Sequence, residues 1–138
     1  IILYFKIGRQ IMLSKIFIIF FVLLGFFYIF FYQKKFQEEK DFNPEISYNL
    51  VKNGAILLDV RTRQEYSKGF IKGAINISHT EIEKNKKKLE NLTSGDKAKE
   101  IVLYCQSGRR SNLAKQKLKN LGYKNVTNHG GIESWKKD

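Results

Sequence analysis

From residue 16 to residue 32 the chain carries no charge, and Phe, Ile, Leu, Val and Tyr make up nearly all of the stretch. A helix that crosses a bilayer needs about 20 apolar residues, with a lower limit near 17. With Met12 and Leu13 added and Lys15 snorkelling, this run is long enough. It cannot be a core helix, because a chain of 138 residues has no domain large enough to cover such a surface. The run therefore divides the chain into an apolar anchor at 1–32, a charged linker at 33–45 and a folded domain at 46–138. Phe30-Phe31-Tyr32-Gln33 offers no small residue for signal peptidase, so an uncleaved anchor in contact with membrane lipid is expected. Tyr28 and Tyr32 suit the interfacial belt. Met12 is the natural start residue, which places 1–11 upstream of it. Lys6, Arg9 and Lys15 before the run are matched by Lys34, Lys35 and Lys40 after it, so the positive-inside rule does not choose an orientation.

The net charge of +12 raises nucleic acid as a partner. The lysines, however, are spread along predicted exposed helix faces, as at Lys84 and Lys86 to Lys88, which reads as solvated surface with some attraction to anionic headgroups. No nucleic-acid partner is expected. The single cysteine, Cys105, excludes an intramolecular disulfide and leaves no resolving thiol.

Beyond Pro44, apolar runs alternate with helical patterns. Residues 55–60 and 101–104 are near-continuous apolar strands of the kind covered on both faces. Residues 74–78 and 125–128 read as shorter strands, and 46–52 as a short strand or helix. Residues 63–67 form a short helix, Thr80 with Glu83 opens a second that runs to about Leu92, and Leu113, Ala114, Leu118 and Leu121 mark a third that stops at Gly122. This order predicts an α/β domain with a central parallel sheet flanked by helices, and ligands beyond the C-terminal strand ends. Asp59 and Cys105 both fall at such ends.

Cys105 stands between a buried strand and a helix start, in Tyr104-Cys105-Gln106-Ser107-Gly108-Arg109-Arg110-Ser111. Unpaired helix N–H groups, the helix dipole and two arginines all favour thiolate over thiol. The same bowl suits an incoming anion. The competing reading is a small buried hydrophobe, but the polar, doubly cationic sequence that follows is a poor setting for one.

The loop from Cys105 to Ser111 resembles the active-site loop of rhodanese-like sulfurtransferases. Leu57-Leu58-Asp59-Val60-Arg61-Thr62-Arg63-Gln64-Glu65-Tyr66, followed by Gly69, Ile71 and Gly73-Ala74-Ile75-Asn76-Ile77, is similar to the family's first signature. Asn128-His129-Gly130-Gly131-Ile132-Glu133-Ser134-Trp135 resembles its last. The likeness covers about residues 46–135 and is nearest to the short, exported or membrane-tethered kind. One departure is Phe70, where the family usually has histidine.

The resemblance implies a persulfide formed on Cys105 from a small anionic donor such as thiosulfate, then passed to a thiol or cyanide. In this scheme the N–H groups from Gln106 through Ser107 and Gly108 to Ser111 hold the persulfide, Arg109 and Arg110 attract a sulfonate, and Ser107 and Ser111 add hydroxyl donors. Asp59 and Arg61 are supporting residues, with Arg61 expected to pair with Glu65. His79 and His129 are expected to be surface or hydrogen-bonded histidines rather than bases. No cofactor or metal is called for. By the same resemblance the domain faces the extracytoplasmic, periplasmic side. Two alternatives differ in class. A cysteine phosphatase or arsenate reductase carries arginine six positions after the cysteine, where this chain has Ser111. A non-catalytic tethered binding module would usually have lost the loop.

Overall fold

The computed structural model describes residues 2–135. The chain forms two compact units, Ile1–Glu38 and Glu39–Asp138. The first is most of α1 (Ile2–Lys40), whose stretch Arg9–Lys35 is long and apolar enough to cross a membrane. Its 27 residues rise about 40 Å as a helix, against about 30 Å of hydrocarbon. Large apolar side chains point outward on every side of it, including Phe17, Ile18, Phe20, Leu23, Phe26 and Phe30. A helix with no polar face does not sit on the surface of a soluble domain.

The second unit is the α/β domain. Asn43 caps α2 (Pro44–Lys52), its side chain accepting from the Ile46 N–H at 3.0 Å with Pro44 in the first turn. Then follow β1 (Ile56–Asp59), α3 (Arg63–Ser67), β2 (Ile75–Asn76), α4 (Lys86–Thr93), β3 (Ile101–Cys105), α5 (Arg109–Asn120), β4 (Val126–Gly131) and a closing 3₁₀ turn at Ile132–Ser134. The sheet order is β2-β1-β3-β4 and every pairing is parallel. This is the fold class the alternating pattern predicts.

Strand alternation sorts the core into two layers. Leu58, Val60, Ile101, Leu103 and Cys105 pack with Leu89, Ala114 and Leu118 on the α4/α5 side. Leu57, Val102 and Tyr104 pack with Ile71, Ala74 and α2 residues on the other. The period of two thus puts Cys105 on the α5 side, and Asp59, two residues from Leu57, on the opposite side. Between β3 and β4 the register slips by one residue: Leu103 pairs with Asn128, but Tyr104 pairs with Gly130. His129 is the extra residue of this bulge. The slip brings Gly130 and Gly131 beside Tyr104 and Cys105.

Two local expectations need correction. Thr80 and Glu83 do not open a helix: α4 begins only at Lys86, after a series of turns. The capping box lies instead at Thr62 and Glu65, where each side chain meets the other's backbone N–H and starts α3. The 74–78 strand shortens to two residues because it lies at the sheet edge and pairs only with β1.

Candidate active site

Cys105 is the last residue of β3, and α5 begins four residues later. Gly108 turns the chain between them at φ +97°, a left-handed conformation that only glycine adopts without strain. The turn swings the Gly108 N–H onto the Cys105 Sγ at 3.1 Å. No side chain caps α5, so its first amides are free to face the loop. The Ser111 hydroxyl stands 3.6 Å from Sγ. Burial pushes the Cys105 thiol up, but the Ser111 hydroxyl and the amides of Ser107, Ser111 and Gly108 more than offset it, and its pKa is lowered overall. Cys105 is fully covered and belongs to the core, as a buried hydrophobe would, yet its sulfur faces donors. Gln106 and Ser107 are exposed around it.

The two arginines differ. Arg109 is exposed, and among the described residues it has no carboxylate partner. Arg110 is half-buried and gives both ends of its guanidinium to Glu65, at 2.7 Å each. This fork, with help from the Thr62 hydroxyl and N–H, holds the Glu65 carboxyl well below the usual range. It also raises Arg110, which is further raised by its proximity to Cys105.

Arg61 does not pair with Glu65. Asp59 and Arg61, two apart on an extended chain, point the same way. The Arg61 guanidinium bonds both Asp59 oxygens, at 2.6–3.1 Å, and its Nη2 donates to the Gly69 carbonyl at 2.7 Å. Asp59 is fully buried and Arg61 is 5% exposed. The pair lies on the Tyr104 side of the sheet, so the fold does not bring it to the sulfur. His129 is buried against Trp135 and bonded to Ser134 at 3.1 Å, with burial lowering its pKa. Phe70 stacks on Tyr66 with ring centroids 4.2 Å apart. Among the described residues, no group of three His, Cys, Asp or Glu side chains could hold a metal ion.

Two groups escaped the sequence. Asn128, fully buried, accepts from the Ser111 hydroxyl at 2.7 Å and the Gly130 N–H at 2.9 Å, and donates to the Gly108 carbonyl at 3.1 Å. The one Ser111 hydroxyl proton thus has three acceptors: Asn128 Oδ1, the Gly108 carbonyl at 2.9 Å and Sγ. An asparagine two positions before Gly-Gly was the available signal. The second group is the linker. Asp41 Oδ2 meets Lys115 Nζ at 2.6 Å, and its Oδ1 accepts the Asn128 N–H at 2.8 Å. Phe42 N–H donates to the Asn128 carbonyl at 2.7 Å. A linker has no periodicity to betray such contacts.

The rhodanese-like domain model matches residues 43–138. A human thiosulfate:glutathione sulfurtransferase is 35% identical over 96 residues, covering 64% of this chain and 84% of the relative. The Escherichia coli thiosulfate sulfurtransferase PspE is 36% identical over 76 residues, covering 55% of this chain and 69% of the relative. A solved human single-domain sulfurtransferase superposes with a TM-score of 0.55 at 33% identity, covering 67% of this chain and 89% of that one. These relatives support sulfur transfer as the general activity. A parallel sheet that ends in a cysteine loop at a helix start, matched by the rhodanese-like domain model over residues 43–138 and by relatives named as sulfurtransferases, makes this chain a member of the rhodanese-like family of single-domain sulfurtransferases.

Proposed function

We propose that the chain carries sulfane sulfur as a persulfide on Cys105, taken from an anionic donor such as thiosulfate and delivered to a thiol or cyanide. The observation behind this is the lone sulfur ringed by the Ser107, Gly108 and Ser111 amides and the Ser111 hydroxyl. The Cys105 thiolate attacks the outer sulfur of the donor. The donor S–S bond breaks, sulfite leaves with the bonding pair, and the second sulfur remains on Cys105 as an anion. Cyanide or a thiolate then attacks that outer sulfur and Cys105 leaves as thiolate. The loop amides stabilise negative charge at both stages without reorganising. Arg109 attracts the donor's oxyanion, and Arg110 adds its charge to the extent that Glu65 leaves it unspent. Asp59 and Arg61 support the fold rather than the chemistry. Residues 1–32 anchor the protein, 33–45 link, and 46–138 act, on the extracytoplasmic side.

Thiosulfate alone should add one sulfur atom to the protein mass, and thiosulfate with cyanide should yield thiocyanate. Cys105→Ala should abolish both. Unchanged turnover in that variant, or hydrolysis of a phosphate ester without sulfur transfer, overturns the assignment.

A further inference from the structure

Phe42 lies outside the family match at 43–138 and in no sequence motif. Its backbone is left-handed at φ +57°, a conformation costly for a bulky residue and kept only where surroundings impose it. Here they do. Phe42 N–H is bound to the Asn128 carbonyl, and the preceding Asp41 is locked to Lys115 and to the Asn128 N–H. The ring sits in a slot that two glycines leave open. A Cβ on Gly108 would stand 2.6 Å from Phe42 Cε1, and one on Gly130 would stand 3.1 Å from Cδ1. Gly108 is the residue whose N–H holds Sγ. Yet Phe42 remains 59% exposed, so packing uses only part of the ring and solvent, or a ligand, meets the rest.

The side-chain charge at the start of α5 is small. Arg109 and Arg110 are offset in part by Glu65, which leaves one net positive charge among the three side chains. Thiosulfate is a dianion. An organic thiosulfonate, R–SO₂–S⁻, is a monoanion with an apolar group next to the sulfonyl.

We propose that Phe42 is a specificity-determining residue that forms an aromatic wall at the cysteine loop and selects a monoanionic sulfur donor bearing an apolar group over thiosulfate. This rests on the sulfurtransfer reading above. The Cys105 thiolate attacks the outer sulfur of the thiosulfonate. The S–S bond breaks and the sulfinate R–SO₂⁻ leaves with the electron pair, so the persulfide formed is the same one. The aromatic group of the donor packs on the exposed part of the Phe42 ring, while Arg109 meets the sulfonyl oxygens.

The test is thiocyanate formation by the full chain in detergent, with benzenethiosulfonate and thiosulfate compared as kcat/KM. The wild type should prefer benzenethiosulfonate. Phe42→Ala should lower the ratio of the two constants roughly five- to tenfold, the effect of one good aromatic contact. Phe42→Tyr should keep the ratio within about twofold. Thiocyanate from both donors, with a ratio that does not change in Phe42→Ala or that falls equally in Phe42→Tyr, overturns this inference and leaves sulfur transfer standing. No thiocyanate from either donor with the wild type defeats both.

Discussion

At the scale of single residues, hydrogen-bond donors lead in holding the sulfur as thiolate, and Arg110 adds its charge beside them. The Ser111 hydroxyl is the largest of the influences that lower the Cys105 pKa. Removing it takes away a bond that favours the thiolate, so Ser111→Ala should move the pH profile of Cys105 alkylation to higher pH. Sulfur loading at neutral pH should slow by roughly two- to fivefold, less than a full hydrogen bond to a charged group is worth, because the one hydroxyl proton is shared with Asn128 and the Gly108 carbonyl. A profile that stays in place would remove Ser111 from the machinery. Glu65 acts in the opposite sense. Glu65→Gln leaves Arg110 with its full charge beside Cys105, so KM for dianionic thiosulfate should fall severalfold, most at low ionic strength. The stability lost should be small, about 1 kcal/mol or less, since the pair is partly solvated. Its pH dependence has a fixed sign. The folded-state pKa of Glu65 is depressed, so its contribution is complete above the unfolded value of about 4.3 and is lost as pH falls below it. A thermal melt series from pH 7 to 3 should show less acid loss in Glu65→Gln than in the wild type.

At the scale of elements, the parts that periodicity controls were legible and the parts that long-range contacts control were not. Residues 55–60 and 101–104 are apolar without interruption, which only a strand covered on both faces needs, and β1 and β3 lie there. The cysteine at a strand end before Gly-Arg-Arg fixed the place of the loop. Thr80 and Glu83 misled because the capping-box pattern is short and recurs by chance. At Thr62 the same pattern was real, but Glu65 was already assigned to Arg61. Spacing along the chain cannot tell that Asp59 and Arg61 face away from Cys105 while Glu65 reaches Arg110, 45 residues on. Face assignment yields a test. Asp59→Asn leaves the buried Arg61 charge without its carboxylate, at a cost of about 3–5 kcal/mol, so the melting temperature should drop steeply. The alkylation rate of Cys105 in the remaining folded protein should not change, because the pair is on the other side of β1 and β3. The bulge yields another. Gly131 has an ordinary φ of −90°, but a Cβ there would stand 2.8 Å from the Gln106 carbonyl oxygen. Gly131→Ala should therefore displace the loop and cut thiocyanate formation at least tenfold, with a fall in melting temperature of roughly 4–20 °C that leaves the domain folded at 25 °C.

At the scale of the whole molecule, a catalytic domain follows a helix able to cross a bilayer. The side on which the domain works decides which sulfur compounds reach it. The sequence is evenly balanced here, with Lys6, Arg9 and Lys15 on one flank and Lys34, Lys35 and Lys40 on the other. The positive-inside bias is a difference between flanks, so equal counts give no net preference. Lysines on the domain supply the readout. Lys84, Lys86, Lys87 and Lys88 are exposed next to and within the first turn of α4, where trypsin can reach them. In sealed right-side-out vesicles from cells expressing the full chain, added trypsin should clip the domain at this cluster without detergent, as the outward orientation requires. The fragment containing 9–35 should stay with the membrane pellet through a high-salt wash, because an apolar span is held by burial and not by charge. Protection until detergent is added would place the domain, and with it the donor and acceptor pools, on the cytoplasmic side. Release of the uncut chain by salt would mean that α1 does not span at all.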